Sequence, residues 1–351
     1  MAKIAVVLFN LGGPDRPEAV QPYLLNLFGD RAIINLPGFI RTPLAALIAR
    51  RRAPVARDIY AKIGGCSPLL QLTRAQADAL QQCLVGTGET RVFIAMRYWH
   101  PMSIEAARAV ADFGPEKVVL VPLYPQYSTT TTGSSLVAWR AAAEAVGLNV
   151  PTSAVCCYPV QAGLISAQVA LVRRAIEGAS AHAPIRVLFS AHGLPERVVR
   201  GGDPYQRQIE ATSRAVVAGL GIEGLDWAIC YQSRVGPLKW IGPTTKDEVA
   251  RAGLAGVGLV IVPIAFVSEH SETLVELDVE YRRHADECGV PVFERVPALG
   301  VAPDFIAGLA DVVRGAVEAP AGLACEVGKQ PCATKFRGCP MIRAQAQADT
   351  A

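Results

Sequence analysis

A row of glutamates with helical spacing is the clearest chemical pattern in the sequence. In the segment VSEHSETLVELDVEY the spacings are three, four and four residues, and the glutamates are Glu269, Glu272, Glu276 and Glu280. On an α-helix, residues so spaced lie on one face, where like charges repel by roughly 0.2–0.5 kcal/mol per pair. Such a row is typical either of a solvated helix face or of a path for cations and protons. We prefer the solvated face for Glu280 alone.

An apolar run of strand length, GLVIVPIAF at residues 258–266, leads directly into these glutamates. Its nearly continuous apolar character predicts a fully buried parallel strand. The first carboxylates therefore lie where a buried strand gives way to a helix. That edge of an open α/β sheet is where ligands bind, and a helix N-terminus favours negative charge.

His192 is a second candidate for chemistry. It follows the apolar run VLF and lies between small residues, so its imidazole is expected at the tip of a buried strand. A lone histidine more often satisfies a hydrogen bond in the core, but here a second strand tip supplies Glu269, His270 and Glu272. Imidazole and carboxylate together are what proton abstraction or binding of a divalent metal requires.

Three cysteines near the C-terminus, Cys325, Cys332 and Cys339, are spaced C-x6-C-x6-C. The chain has nine cysteines, an odd number, and begins without a secretion signal, which favours a reducing compartment and thiols or metal ligands over disulfides. Exposed thiols oxidise readily, whereas structural zinc sites usually have closer ligand spacing. The pattern indicates a metal centre, with three idle thiols as the alternative.

The composition is that of a globular chain. Of its 351 residues, 51% are apolar and 19% are charged, and the net charge of +3 is accompanied by no nucleic-acid motif, so we expect no nucleic-acid partner. No stretch reaches about 18 uninterrupted apolar residues, and MAKIAVVLFN is interpreted as a first strand. We therefore expect a cytoplasmic protein without a membrane span.

One apolar segment, residues 24–57, interrupts the pattern of the remaining chain. It is interrupted by Pro37 and Pro43 and carries the basic cluster Arg50, Arg51 and Arg52. One interpretation is an inserted pair of core helices. The other is an apolar lip, residues 24–52, that covers an apolar ligand or rests on the inner face of an anionic membrane, where basic residues are attracted.

Short apolar, β-branched runs alternate with segments of helical period. Eight runs, grouped as four and four, predict an α/β fold of two Rossmann-like domains, each with a four-stranded parallel sheet flanked by helices. The predicted boundaries are 1–160, 161–318 and a cysteine-bearing tail at 319–351, with the ligand in the cleft. An eight-stranded barrel is the alternative. The sequence contains neither a dinucleotide fingerprint nor a phosphate-binding loop.

Aromatic residues gather at the predicted strand ends. They are Tyr98, Trp99, Tyr124, Tyr127, Tyr231 and Trp240. Such rings suit a flat, apolar ligand, although aromatic residues are more often part of the core.

Five sequence blocks, in order, resemble the ferrochelatase family. The longest is FSAHGLPERVVRGGDPY at residues 189–205, and the others are LFNLGGP, LYPQYSTTTTGSS, QSRVGPLKWIGPTT and VPIAFVSEHSETLVELDVEY. The resemblance covers about residues 4–318. It implies a lyase-class metal chelatase with two Rossmann-like domains that inserts ferrous iron into protoporphyrin IX, the last step of heme synthesis.

The resemblance also implies roles for individual residues. His192 matches the family's histidine, a proton acceptor or iron ligand, and Glu272 matches the glutamate opposite it. Glu269, His270 and Glu276 match the polar residues beside that glutamate, so the glutamate row is expected to conduct iron in or protons out. Tyr98, Trp240 and the lip correspond to regions that hold the porphyrin, and Tyr127 is added as a substrate-binding candidate.

Some ferrochelatases carry a [2Fe-2S] cluster on C-terminal cysteines and one internal cysteine, and the cysteine-bearing tail resembles theirs. In the animal enzymes the internal ligand follows the YPQYS block, where this chain has Thr129. Cys156 and Cys157 are the candidates for a substitute. Because adjacent strand residues point to opposite faces, we expect only one of them to serve, and we choose Cys157. Four cysteines are taken as incidental: Cys66, Cys83, Cys230 and Cys288.

Two alternatives stay open at this point. The chain could be a chelatase for another tetrapyrrole or metal, with coproporphyrin as one substrate, or a carrier that binds porphyrin or heme without catalysis. The pairing of His192 with Glu272 speaks against a carrier, which needs no base. The sequence leaves open whether the chain forms a homodimer.

Overall fold

The computed structural model describes residues 2–86, 88–234, 236, 238–325 and 332–348, with side chains to residue 344. Its strands are β1 Lys3–Asn10, β2 Glu89–Met96, β3 Lys117–Pro122, β4 Thr152–Val155, β5 Ile185–His192, β6 Asp226–Gln232, β7 Gly258–Pro263, β8 Phe293–Arg295 and β9 Gly322–Ala324. They form two sheets, ordered β2-β1-β3-β4-β9 and β6-β5-β7-β8, in which every pairing is parallel. The predicted α/β fold with two parallel sheets is confirmed.

The first sheet has one strand more than the four predicted. β9 comes from the tail and pairs with β4 in parallel, so that Val155 lies beside Ala324. At three residues, β9 is too short to produce an alternating or continuous apolar pattern. Its addition brings the beginning of the cysteine-bearing tail to the end of β4.

The remaining regular elements are helices. The α-helices are α1 Val20–Gly29, α2 Gly38–Ala61, α3 Leu69–Cys83, α4 Ser103–Phe113, α5 Thr132–Ala145, α6 Ala162–Ser180, α7 Glu196–Arg200, α8 Tyr205–Leu220, α9 Thr245–Ala255, α10 Arg282–Glu287, α11 Pro303–Glu318 and α12 Pro340–Ala348. A 3-10 turn spans Pro17–Ala19, and a π-helix spans Glu272–Tyr281. None of the helices in the described ranges is long and apolar enough to cross a membrane.

Both faces of the first sheet are covered, which explains the apolar runs in its central strands. Ile4, Val6 and Leu8 of β1 belong to one core cluster, and the intervening Val7 and Phe9 belong to another. Alternate residues of a strand point to opposite faces, so a strand buried on both sides must be apolar throughout. The same reasoning applies to β7, which is buried along its whole length.

Helix α11 packs against the first sheet, although the predicted boundaries place it in the C-terminal domain. Its Phe305 and Leu309 share a core cluster with Val119 and Val121 of β3. The division of the chain near residues 160 and 318 stays a prediction.

The predicted lip, residues 24–52, lies within α1 and α2, so the interpretation as a pair of helices is supported, whereas the covering of a ligand or a membrane surface stays a prediction. Inward-facing residues, among them Tyr23, Leu24 and Ala53, form a core cluster with Tyr98. Outward-facing residues remain in solvent, and Phe39 is 81% exposed. The segment is therefore a helical hairpin with a packed inner face and an apolar outer edge.

Candidate active site

The order of the second sheet brings three polar segments to one edge. β5 lies between β6 and β7, and His192 at its end pairs in register with Gln232 at the end of β6. The chain after β7 runs through residues 264–271 into the π-helix. Because connections from β5 and β7 leave in different directions, this edge is the switch point at which parallel sheets bind ligands.

The imidazole of His192 is held in one tautomer. Its Nδ1 lies 2.6 Å from the carbonyl oxygen of Gly193. A carbonyl can only accept a hydrogen bond, so Nδ1 is the donor, and in the neutral ring Nε2 keeps its lone pair. Nε2 lies 3.6 Å from Glu272 Oε1, and the side chain is 37% exposed. The free nitrogen can thus accept a proton or bind a cation.

Glu272 is the first residue of the π-helix and lies between two imidazoles. Its Oε2 is 3.6 Å from Nε2 of His270. Burial opposes its ionisation, but charge on His192 and the interaction with His270 lower the pKa of Glu272 to about 2. Within the described part of the chain, Oε2 has no hydrogen-bond partner. The site therefore holds a carboxylate with an unused acceptor atom, as a cation would require.

Glu276, four residues along the π-helix, has the opposite protonation behaviour. Its carboxylate accepts hydrogen bonds from Ser233 N at 2.8 Å, Ser233 Oγ at 2.5 Å and Gln232 Nε2 at 3.1 Å. Burial and the charge of Glu272 nevertheless raise the pKa of Glu276. Two adjacent carboxyls whose pKa values are pushed apart can divide the work of holding a cation and exchanging a proton.

The helix that carries Glu272, Glu276 and Glu280 is a π-helix, whereas the spacing of the glutamates predicts an α-helix. A π-helix has roughly 4.4 residues per turn, so residues four apart still lie near one another on its surface. Glu272 and Glu276 therefore keep a common face. π-Helical turns are rare and occur frequently at functional sites.

Glu269 is not brought into this group. Its carboxylate accepts hydrogen bonds from Ala298 N at 2.8 Å and from Thr273 Oγ1, and it forms an ion pair with Arg295 at 2.5 Å. Arg295 also pairs with Asp278 at 2.6 Å. Burial opposes ionisation, but Thr273 and Arg295 lower the pKa of Glu269. These contacts anchor the turn before the π-helix.

A surface cavity of about 280 Å³ opens on the outer side of Glu276. Its other lining residues are Lys246, Glu280, Tyr281, Arg283, His284 and Glu287. Glu280 itself is 45% exposed and lies 3.7 Å from Lys62. Glu276 is thus placed between solvent and the pair formed by His192 and Glu272.

Of the predicted porphyrin-binding residues, Trp240 lies nearest to the site. Its ring centre is 6.4 Å from that of His192, and its Nε1 is buried without a partner in the described residues. Tyr98 is fully buried, and its hydroxyl donates to Asp30 Oδ2 at 2.8 Å. Tyr127 is not brought to this site, because its ring packs against Cys156 and Cys157.

Sequence reasoning missed Tyr60, at the end of α2. Burial and the charge of Glu272 raise the pKa of Tyr60 to about 12, against the effect of its interaction with Ser271. The segment DIYAKIGG gives no signal of this role, since the contact joins residues more than 200 positions apart. Tyr60 connects α2, whose first part belongs to the lip, with the segment that carries Glu272.

Comparison with known proteins decides the family. A ferrochelatase family profile matches residues 3–317. The ferrochelatase of Phenylobacterium zucineum is 57% identical over 319 residues, which are 90% of this chain and 92% of that protein. The ferrochelatase of Caulobacter vibrioides strain NA1000 is 54% identical over 341 residues, which are 96% and 97% of the two chains.

The chain belongs to the ferrochelatase family. The resemblance stated from the sequence blocks is therefore confirmed, as is the prediction of a lyase-class metal chelatase. Among solved structures, SirB from Bacillus subtilis with Fe3+ superposes with a TM-score of 0.53 at 13% identity, covering 91% of this chain and 96% of that one. This likeness supports the fold.

A second group of candidate ligands in this ferrochelatase consists of thiols. Cys156, Cys157 and Cys325 have their sulfur atoms within 4.8 Å of one another, and Cys157 Sγ is 3.6 Å from Cys325 Sγ. The register of β9 on β4 explains this approach, because Cys325 directly follows Ala324. Both adjacent cysteines follow the last residue of β4 and have their sulfur atoms near that of Cys325. That only one of them serves as a ligand stays a prediction.

Two other cysteines of the tail form a pair beside this group. The interaction of Cys339 with Cys332 and with the backbone N–H groups of Ile342 and Met341 lowers the pKa of Cys339 to about 6, against the effect of burial. The tail is fixed here by a hydrogen bond of 3.0 Å from Gly338 N to Gly202 O. A Cβ on Gly338 would lie 2.9 Å from that oxygen, so glycine permits the contact.

Proposed function

We propose that this ferrochelatase inserts Fe2+ into protoporphyrin IX to form protoheme, with His192 and Glu272 beside the reacting nitrogens. The reaction replaces two pyrrole protons by one ferrous ion, so the site must release two protons for each iron inserted. The observation that carries the proposal is the free Nε2 of His192 at 3.6 Å from the ionised Glu272. This arrangement offers a proton acceptor and an anionic ligand to one point in space.

Glu272 and Glu276 have different tasks in this proposal. Glu272 stays ionised, so it attracts the ferrous ion and stabilises a protonated His192 after it takes a pyrrole proton. Glu276, whose pKa is raised, accepts that proton or passes it to the outer cavity. Iron arrives by the same route in the opposite direction. Glu269, which was also a candidate for this path, has its carboxylate engaged with Arg295.

The porphyrin lies between the lip and the second sheet in this proposal. Trp240 beside His192 supplies an aromatic wall, while Tyr60 places the lip next to Ser271 and Glu272. Tyr98 is buried beneath the lip and holds its inner face. It therefore supports the porphyrin site from behind.

An anaerobic insertion assay tests the substrate. Ferrous iron is supplied with protoporphyrin IX or with coproporphyrin, and product absorbance is followed. The proposal predicts efficient turnover of protoporphyrin IX. Turnover of coproporphyrin alone would contradict it, and binding of either porphyrin without insertion would favour a carrier.

The outer edge of the lip supports a second part of the proposal, weak association with the inner face of the membrane. Phe39 is 81% and Val55 60% exposed, and the exposed Arg50, Arg51 and Arg52 lie on the same helix. Exposed apolar groups beside basic ones are typical of a surface that rests on anionic lipid. Such contact would place the porphyrin site at the source of an apolar substrate.

The neighbouring thiols support a third part of the proposal, a resident [2Fe-2S] cluster on Cys157, Cys325, Cys332 and Cys339. Four thiolates meet its ligand demand, and two thiolates on one tetrahedral metal with bonds of about 2.3 Å are separated by about 3.8 Å. The separation of 3.6 Å between Cys157 and Cys325 fits that value. When bound, the cluster would accept and release a single electron. Cys156 is the fifth thiol and the alternative to Cys157.

A further inference from the structure

Gln208 of α8 lies between Cys157, which follows β4, and Cys332, which belongs to the tail. Its side chain is buried, and its Oε1 accepts a hydrogen bond from Tyr127 N at 2.7 Å. A backbone N–H can only donate, so the oxygen of the amide must face Tyr127 and the NH2 group must face the opposite way. The orientation of this amide is therefore determined by its surroundings.

The NH2 group of Gln208 is directed at two sulfur atoms. Nε2 lies 3.4 Å from Cys157 Sγ and 3.7 Å from Cys332 Sγ. One sulfur follows strand β4 and the other belongs to the tail, so a single side chain joins both parts of the centre. Two N–H hydrogens are available for two acceptors. Thiol sulfur is a weak acceptor, whereas a metal-bound thiolate carries negative charge and accepts more strongly.

We infer that Gln208 is a positioning residue that donates N–H···S hydrogen bonds to two cluster ligands and raises the reduction potential of the cluster. The inference rests on the proposed [2Fe-2S] centre. One-electron reduction adds negative charge that is spread over iron and sulfur. Hydrogen-bond donors stabilise the more negative state, so a donor at the sulfurs makes reduction more favourable.

The surrounding contacts make Gln208 a rigid donor. The loop after β3 is held by Gln208 at Tyr127 N and by the buried Asp203, which accepts from Thr129 N at 2.7 Å and Ser128 Oγ at 3.0 Å. Asp203 and Gln208 are five residues apart, so one short segment of chain holds the loop after β3 at two points. The amide of Gln208 cannot rotate without breaking its bond to Tyr127.

The test is a spectroelectrochemical titration of the full-length protein purified without oxygen. Gln208→Leu removes both N–H donors at similar volume and is expected to shift the midpoint potential to more negative values while two irons and two sulfides per chain are retained. Gln126→Leu is the matched control, since Gln126 is also a buried amide of the same region but donates to Thr212 Oγ1 instead of sulfur. It should leave the potential unchanged.

A second variant separates hydrogen bonding from packing. Gln208→Glu keeps an acceptor for Tyr127 N, but it can donate to sulfur only when protonated, so its midpoint potential should rise toward that of the native protein as pH falls. Two results, each with an intact cluster, would overturn the role of Gln208 but leave the cluster standing. One is an unchanged midpoint potential in Gln208→Leu. The other is a midpoint potential in Gln208→Glu that changes with pH no more than that of the native protein. A native chain without iron and sulfide refutes the cluster and this inference together.

Discussion

The neighbouring glutamates of this chelatase have different partners, and the roles proposed for them differ accordingly. Glu272 has two imidazoles beside it and a lowered pKa, while Glu276 faces the charge of Glu272 and has a raised one. Glu269, three residues earlier, is neutralised by Arg295. Spacing alone makes these glutamates look equivalent, whereas their contacts are the reason for proposing cation binding, proton exchange and structural anchoring for different members of the row.

Replacement of individual glutamates tests this division of roles. We expect Glu272→Gln to lower the rate of iron insertion at least about tenfold, a barrier increase of roughly 1.4 kcal/mol, because the cation loses its ionised ligand. Glu280→Gln should stay near the native rate, since Glu280 is half exposed and pairs with Lys62. The rates are measured anaerobically at saturating porphyrin. Equal losses of rate in the two variants would mean that the glutamates act only through general surface electrostatics.

Replacement of individual thiols tests the cluster ligands. Cys157→Ser, Cys325→Ser, Cys332→Ser and Cys339→Ser should each bleach the visible absorption of anaerobically purified protein, because a hydroxyl rarely replaces a thiolate ligand. Cys156→Ser should stay coloured and serves as the control. If Cys156→Ser bleaches the protein and Cys157→Ser does not, the fourth ligand is Cys156. A colourless native protein with one tightly held zinc would contradict the cluster.

At the scale of elements, the π-helix and its anchor decide where the glutamates stand. The turn that precedes it is fixed by the ion pair of Glu269 with Arg295, and Arg295 binds Asp278 within the π-helix itself. Gln76 of α3, a helix that packs against the first sheet, adds a further contact, because its Nε2 donates to Val267 O and Gly300 O, both at 2.9 Å. The segment carrying Glu272 is therefore held from both sides.

The anchor predicts a pH-dependent contribution to stability. Glu269→Gln should lower the free energy of unfolding at pH 7 by about 3 kcal/mol, because Arg295 loses part of its compensation in a mostly buried site. The pKa of Glu269 is lowered in the folded state, so its stabilisation is present above the unfolded value near 4.5 and is lost as pH falls through the lower folded value. Chemical denaturation at pH 7 and in acid should thus give a gap between native and variant that narrows in acid; a constant gap would contradict the assignment.

The lip predicts weak, salt-sensitive binding to anionic vesicles. Charge reversal of Arg50, Arg51 and Arg52 should weaken sedimentation with such vesicles more at low salt than at high salt, because surface attraction is screened. Phe39→Ser should weaken it at both. Leu254→Ser is the control, since Leu254 is 91% exposed on α9, outside the lip. If the native protein shows no association at low salt, the lip only covers the bound porphyrin.

At the scale of the whole molecule, features that depend on local pattern could be predicted and those that depend on distant partners could not. Buried strands give apolar runs in the sequence, and His192 and Glu272 follow two of these runs. Both sheets and the proximity of His192 to Glu272 could therefore be predicted from the sequence. β9 is too short to leave a pattern. The engagement of Glu269 depends on Arg295, and the position of Tyr127 depends on its packing against Cys156 and Cys157, which are distant in sequence. The spacing of the glutamates fits an α-helix and a π-helix alike, so helix type was undetermined.

The most direct test of the central claim compares iron insertion with porphyrin binding in His192→Ala. The variant should lose metal insertion while it still binds porphyrin, because the free Nε2 is removed and Trp240 and the lip remain. His100→Ala is the control, since His100 is an exposed histidine paired with Glu105. Insertion is followed anaerobically by absorbance and binding by quenching of protein fluorescence. Activity above about a tenth of the native rate, roughly 1.4 kcal/mol of barrier, or an equal loss of porphyrin binding would contradict the role of His192 as the group that receives the pyrrole proton or holds the iron.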